Sequence, residues 1–336
     1  LNPALGKVMV NNVTTAAALK TIGNIAGASA TGAVAGGASE IVNIVSSEMG
    51  KNYDGTEASF INALLTVAKD HEKYSSQGLV IIGVESPEFD FERDPANVRQ
   101  AIVRFDIPYP VALDANMETW SAYENRYWPH HYLIDREGNI RHDHIGEGDY
   151  QKTEEWIQKL LAEANPRKEL IPLPMTGKTP GVDFSQVETP EIYCGWKRLS
   201  NFASAREVHR DENWEYRVPA KLPPSTFALE GVWRIEPERV VLAGERGTIA
   251  VRYVANKANI VLEAPMAMYA DVYVDGKPLT EKNKGADVEI RGDRSVARIA
   301  EARLYNFIAM GDEYGDHTLE VSLPSTGVRA YAFTFG

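Results

Sequence analysis

Three groupings of residues in this sequence could do chemistry: thiols, a run of histidines, and carboxylates beside an apolar stretch. Thiol–disulfide exchange needs two cysteines at C-x-x-C spacing on a helix N-terminus. The helix amides there lower the first thiol's pKa, and the second thiol resolves the mixed disulfide. The 336-residue chain has one cysteine, Cys194, which excludes an internal disulfide. Cys194 lies in TPEIYCGWKR with Lys197 and Arg198 close behind. A peroxidatic or sensor role would need exposure and such a cation, and a small buried hydrophobe is the expectation instead. His130, His131, His142 and His144 flank a Gly-Asn reversal. A hairpin would bring His131, His142 and His144 toward metal range, with Asp143 pointing oppositely, and no metal is expected there. Glu85 and Glu88 follow the apolar run GLVIIGV, at the strand end where α/β sites form. Surface solvation is their expected role.

The elements that must position these groups are legible from periodicity and turn residues. In residues 125–161 (NRYWPHHYLIDREGNIRHDHIGEGDYQKTEEWIQKLL), HYLID is a strand and residues 136–139 a turn. Residues 140–145 form a second strand, and a helix follows Gly148. Asp149 is its expected N-cap, with Glu154 and Glu155 in the early turns and Trp156, Ile157, Leu160 and Leu161 on one face. Trp128-Pro129 stands at the entrance of the first strand. A proline there, after an aromatic residue, tolerates a cis peptide and leaves a backbone edge free. Upstream, helices are expected at 60–74, 97–105 and 118–124, with strands at 7–13, 40–45, 78–84 and 109–113. Strand, helix, strand, helix, strand, hairpin and helix make an α/β fold over residues 1–165. Residues 1–55 are atypical, being dominated by small residues that pack weakly.

Prolines and glycines in residues 166–190 read as a stiff linker. Short strands then follow at 248–254, 259–264, 270–279, 296–308, 317–323 and 328–335, with Asp275-Gly276 as a hairpin signal. Residues 191–336 are thus expected to form an all-β sandwich of jelly-roll type. Its Trp196, Trp214, Trp233, Tyr269, Tyr273 and Tyr305 invite a sugar-platform reading, although most aromatic residues in such a sandwich are core.

A net charge of −12 argues against nucleic acid or an anionic membrane as partner. No apolar run reaches bilayer-spanning length, and the start lacks a basic-then-apolar signal pattern. A soluble or already processed chain is therefore expected.

The hairpin stretch resembles the second half of a thioredoxin fold, where a cis-proline loop precedes a β-hairpin and a closing helix. More narrowly, WP-HHYLID-REGNIRHDHIGEGDY resembles the extracytoplasmic part of DipZ-type cytochrome c biogenesis proteins and related TlpA-like redoxins. The likeness extends through residues 78–98 (GLVIIGVESPEFDFERDPANV), 189–204 (TPEIYCGWKRLSNFAS), 303–307 (RLYNF) and 328–336 (VRAYAFTFG). It implies a thioredoxin-like domain followed by a carbohydrate-binding-module-like β-sandwich. It also implies an extracytoplasmic protein of the thiol–disulfide oxidoreductase class that uses no bound cofactor. Protein thiols or disulfides and a membrane electron donor would be its partners if it is redox-active, with a glycan as the alternative. In that family the dithiol precedes the helix ending Glu72-Lys73-Tyr74. Counting back without a gap places Glu57-Ala58-Ser59-Phe60 at the motif. A short deletion places Phe60-Ile61-Asn62-Ala63 there instead. Neither supplies a cysteine, and the Ser59 hydroxyl forms no disulfide. A non-catalytic binding or assembly scaffold is the competing expectation.

Overall fold

The structure is a computed structural model that describes residues 8–9, 41–47, 57–146, 148–166, 184–204 and 207–336, with side chains from Thr66 onward. Most of the small-residue stretch within 1–55, and 167–183 of the proline-rich linker, lie outside the described residues. The described residues fall into two compact units: 8–9, 41–47, 60–146 and 148–166 in the first, 57–59, 184–204 and 207–336 in the second.

The first unit is built on a six-stranded sheet of β1 (Val8–Met9), β2 (Ile41–Ser47), β3 (Leu79–Glu85), β4 (Val111–Leu113), β5 (His130–Ile134) and β6 (Ile140–Ile145). Their spatial order is β1-β4-β3-β2-β5-β6. β2, β3 and β4 are parallel, and β5 and β6 complete the sheet antiparallel. The apolar run in β3 is buried nearly throughout, as a strand covered on both faces requires.

Four helices follow in chain order: α1 (Glu57–Tyr74), α2 (Pro95–Arg104), α3 (Glu118–Ala122) and α4 (Tyr150–Ala164). Asp94 caps α2 by accepting from the Ala96 amide at 2.8 Å, and Pro95 opens the helix where a missing N–H costs nothing. Leu79, Ile81 and Leu133 face Ile157, Leu160 and Leu161 of α4 in one apolar layer. Ile82, Val84, Tyr132 and Ile134 form the layer on the other side of the sheet.

One local expectation fails here. Asp149 makes no side-chain cap and takes a left-handed conformation instead, its carbonyl receiving the Thr153 amide at 3.1 Å. Glu154 lies in the early turns as expected and is buried.

The second unit is all β. Its strands are β7 (Ile192–Tyr193), β8 (Asn213–Tyr216), β9 (Thr226–Ile235), β10 (Val240–Ala255), β11 (Lys257–Glu263) and β12 (Met268–Val274). β13 (Lys277–Pro278), β14 (Val288–Arg291), β15 (Arg294–Ile299), β16 (Arg303–Ala309), β17 (Gly315–Leu323) and β18 (Arg329–Phe335) follow. They join in one twelve-stranded hydrogen-bonded network, with β10 pairing β9, β17 and β18. Asp275 and Gly276, both at positive φ, make the tight β12–β13 turn. The single strand expected over 296–308 is two. The Tyr305 hydroxyl donates to the Glu301 carbonyl at 2.9 Å and accepts the Ala300 amide at 3.0 Å, fixing a turn between β15 and β16. Trp233, Phe227, Tyr253, Phe307 and Phe333 fill the core.

Candidate functional site

The β2–α1–β3 crossover is a parallel connection, so α1 starts from the carboxyl edge of the sheet. Ser46 of β2 is level with His130 of β5, which places the entrance of β5 at the same edge. The side chains of Glu57 and Phe60, the two anchors for the family's dithiol position, lie outside the described side chains.

Around the edge, specific polar contacts hold the described loops. The Trp128–Pro129 peptide is cis. The Trp128 indole N–H donates to the Ser86 carbonyl at 3.0 Å, and its ring lies against Trp120 at 4.0 Å between centroids. The Pro129 carbonyl accepts the Gly146 amide at 2.9 Å. Asn125, buried, organises the approach to the proline. Its Oδ1 accepts the Arg126 amide at 2.9 Å and the Tyr127 amide at 3.3 Å, while its Nδ2 donates to the Tyr127 carbonyl at 3.1 Å.

Asp114 accepts from the Thr119 and Trp120 amides at the start of α3, and from the Ser86 hydroxyl at 3.1 Å. Glu85 is fully buried at the end of β3, and Glu88 is half-buried with its amide bonded to the Glu92 carboxylate at 2.7 Å. The expected solvated role of Glu85 is therefore corrected: the edge is covered by the loops that Asp114 and Glu92 fasten. The cavity between Val84, Ser86, Trp120, Asn125 and Tyr132 is about 10 Å³, too small for a ligand. At the surface of this edge Arg126 is exposed and Tyr127 is 42 % exposed.

The histidines separate onto two faces. His130 is buried with both ring nitrogens engaged. Nε2 is 2.9 Å from Asp143, and Nδ1 is 2.8 Å from Asn125 Oδ1 and 2.7 Å from the Tyr132 hydroxyl. His131 is buried with no hydrogen-bond partner on either nitrogen. Burial pushes its pKa down to about 3, with His144, His130 and His142 adding to the effect. The His131 and His144 rings meet edge-on at 6.2 Å, while His142 stacks on Trp156 at 5.2 Å. Among the described residues, no group of three or more metal-ligating side chains is placed to hold an ion.

Cys194 is fully buried in the β core, its amide bonded to the Tyr331 carbonyl at 2.8 Å. Of the nearby cations, Lys197 pairs with Glu238 at 3.5 Å, and Arg198 lies over the Tyr193 ring at 3.8 Å. Of the aromatic side chains singled out in this unit, Trp233 and Tyr305 are core, and Trp196 and Tyr273 are half-buried. Trp214 and Tyr269 are exposed, but each has one ring face occupied, by His209 at 3.6 Å and by Arg291 at 4.0 Å.

Sequence reasoning missed a buried carboxyl pair at the far end of α1. Glu154 accepts from Lys73 and from the Tyr74 hydroxyl, both at 2.7 Å. Desolvation, with the Glu154 charge next, raises the Asp70 pKa to about 7 against the relief from Lys73. A polar residue at an inward helical position is the signal that could have found it.

A sheet of this order with a cis-proline before β5 and a closing helix defines a thioredoxin-like protein. Residues 189–336 match the family described as thioredoxin like C-terminal domain. The chain is 34% identical over 266 residues to protein DipZ of Mycobacterium tuberculosis, covering 79% of this chain and 35% of that protein. It is 29% identical over 101 residues to the thiol-disulfide oxidoreductase YkuV of Bacillus subtilis, covering 30% of this chain and 68% of that one. A crystal structure of a putative thiol:disulfide interchange protein DsbE from Chlorobium tepidum aligns with a TM-score of 0.32 at 18% identity, covering 37% of this chain and 81% of that one. By these likenesses the chain is a DipZ-type thioredoxin-like protein. It spans about a third of the length of the DipZ relatives it matches. Among the described residues no helix is long and apolar enough to cross a membrane.

Proposed function

We propose that this chain is a polypeptide-recognition member of its family, working outside the cytoplasm. In this reading the cis-proline edge holds an extended partner segment, and no thiol of the chain itself takes part. One observation carries it. The loop around Pro129 is completely fastened, through Trp128 to Ser86, Pro129 to Gly146 and Asn125 to its own loop, while Cys194 is sealed in the β core.

A strand entrance supplies main-chain groups to which an extended segment can add, and neighbouring side chains then supply selectivity. Here those are Tyr127, half-buried Trp128 and Trp120, which suit an apolar or aromatic residue of the partner. The family relationship points to proteins bearing thiols or disulfides as partners. Where exchange is needed, a separate membrane electron donor would supply the electrons. With one face of each exposed ring in the β unit already occupied, polypeptide is the partner proposed rather than glycan; a jelly-roll form for that unit stays part of the same proposal.

An insulin disulfide-reduction assay tests this. No turnover above the reductant alone is expected. Turnover that thiol alkylation of the protein abolishes would overturn the reading.

A further inference from the structure

Both ring nitrogens of His130 meet polar partners. Asn125 is oriented without ambiguity, since its Oδ1 already receives the Arg126 and Tyr127 amides and its Nδ2 donates to the Tyr127 carbonyl. The atom it turns to His130 is therefore an acceptor, 2.8 Å from Nδ1. On the other side of the ring Nε2 meets the Asp143 carboxylate, also an acceptor, at 2.9 Å. A neutral imidazole has one N–H and cannot satisfy both; the imidazolium has two. The Tyr132 hydroxyl, 2.7 Å from Nδ1, is a donor in waiting for the neutral ring.

We propose that Asp143, His130 and Asn125 form a proton-dependent clamp that positions the cis-proline loop. With the ring protonated, Nε2–H bonds Asp143 and Nδ1–H bonds Asn125, so that β6 and the 125–128 segment are tied together through the residue that follows Pro129. When the proton leaves, Nε2–H stays on Asp143 and Nδ1 accepts from the Tyr132 hydroxyl. Asn125 is then released, and with it the segment leading into Trp128.

Among the described side chains, the other groups facing it are few. Asp143 comes from β6, Tyr132 from β5, and the Tyr123 ring packs on Tyr132 at 5.1 Å. Ser46, level with His130 on β2, does not titrate. His131 belongs to the opposite face, and Asp114 is committed to Ser86, Thr119 and Trp120. The clamp acts through the loop, so His130 is a positioning residue for the recognition edge proposed above and rests on that reading for its use.

The test is an NMR titration of the whole chain from about pH 5 to 9, reading the ring nitrogens of His130 and the amides of Arg126 and Tyr127. Both ring nitrogens are expected to be protonated at the acid end, with the two amides shifting in step as one proton is lost. In His130→Gln the amides no longer follow pH. In Asp143→Asn the change moves toward lower pH, because the neutral amide no longer favours the charged ring. Tyr132→Phe, the mildest change, leaves the neutral ring without its donor. A singly protonated ring across the range, or amides indifferent to it, would overturn the clamp. In a parallel series, a permanently unfolded S-carboxymethylated polypeptide is added at each pH. If the titration behaves as expected but this probe never binds, the recognition reading fails while the clamp stands.

Discussion

The two faces of the β5–β6 hairpin treat histidine in opposite ways. On one, His130 has a partner on every ring nitrogen, drawn from a loop, its own strand and the neighbouring strand. On the other, the next residue, His131, is also buried, and its ring makes no hydrogen bond. The difference is what lies opposite: loops with polar side chains at the carboxyl edge on the first face, and the apolar layer shared with α4 on the second. A titratable group can therefore serve the recognition edge on one face and only weigh on folding on the other.

The largest expected effect breaks the second half of this comparison. His131 falls from 6.5 to about 3 on folding. The unfolded chain thus binds the extra proton between those values, and stability is lost as pH falls through that window, by about 1.4 kcal/mol per pH unit. Asp70 works in reverse. Its pKa rises from 3.8 to about 7, so the folded chain binds the extra proton, and stability declines at a similar slope as pH rises through the window. Between roughly pH 4 and 6.5 the two contributions oppose each other. Denaturant melts of single variants should uncover each one. His131→Leu should lose stability as pH rises, and Asp70→Asn should gain it. Above pH 7, Asp70→Asn should exceed the wild type by up to about 4 kcal/mol, since no buried charge is then desolvated there and none faces Glu154.

A smaller effect sharpens the first half. His130→Leu leaves the Asn125, Tyr132 and Asp143 groups without their shared partner and should cost about 1–3 kcal/mol at pH 7. His131→Leu at the same pH removes two unsatisfied nitrogens and should cost less than about 1 kcal/mol or stabilise. Equal costs in equilibrium unfolding would erase the comparison. Smallest in stability, but specific to function, Trp128→Ala should weaken binding of the S-carboxymethylated polypeptide about tenfold by isothermal calorimetry, through loss of the indole contact with Trp120 and Ser86.

What the sequence made legible was local. Gly138 and Asn139 announce the hairpin, Asp275-Gly276 announces a turn, and the apolar run before Glu85 announces a buried strand, because turn chemistry and periodicity act over a few residues. Trp128-Pro129 stands out for the same reason. The company it keeps does not, since Ser86 is 42 residues away and reaches Trp128 only through the fold. The partners of His130 depend on cross-strand register and on Asn125, a side chain that reads from sequence as one more loop residue. Glu85 looked solvated because nothing in its neighbourhood of sequence announces that the fold buries it. The break between β15 and β16 rests on one hydroxyl, that of Tyr305, and periodicity carries no trace of it.

The central claim, a recognition edge that works without a thiol, is tested most directly by amide chemical-shift mapping with the S-carboxymethylated polypeptide, which itself carries no thiol. Shifts are expected at Glu85, Ser86 and the 126–131 segment, and the same shifts in Cys194→Ala. Binding that bypasses this edge, or that disappears when Cys194 is replaced, would contradict it.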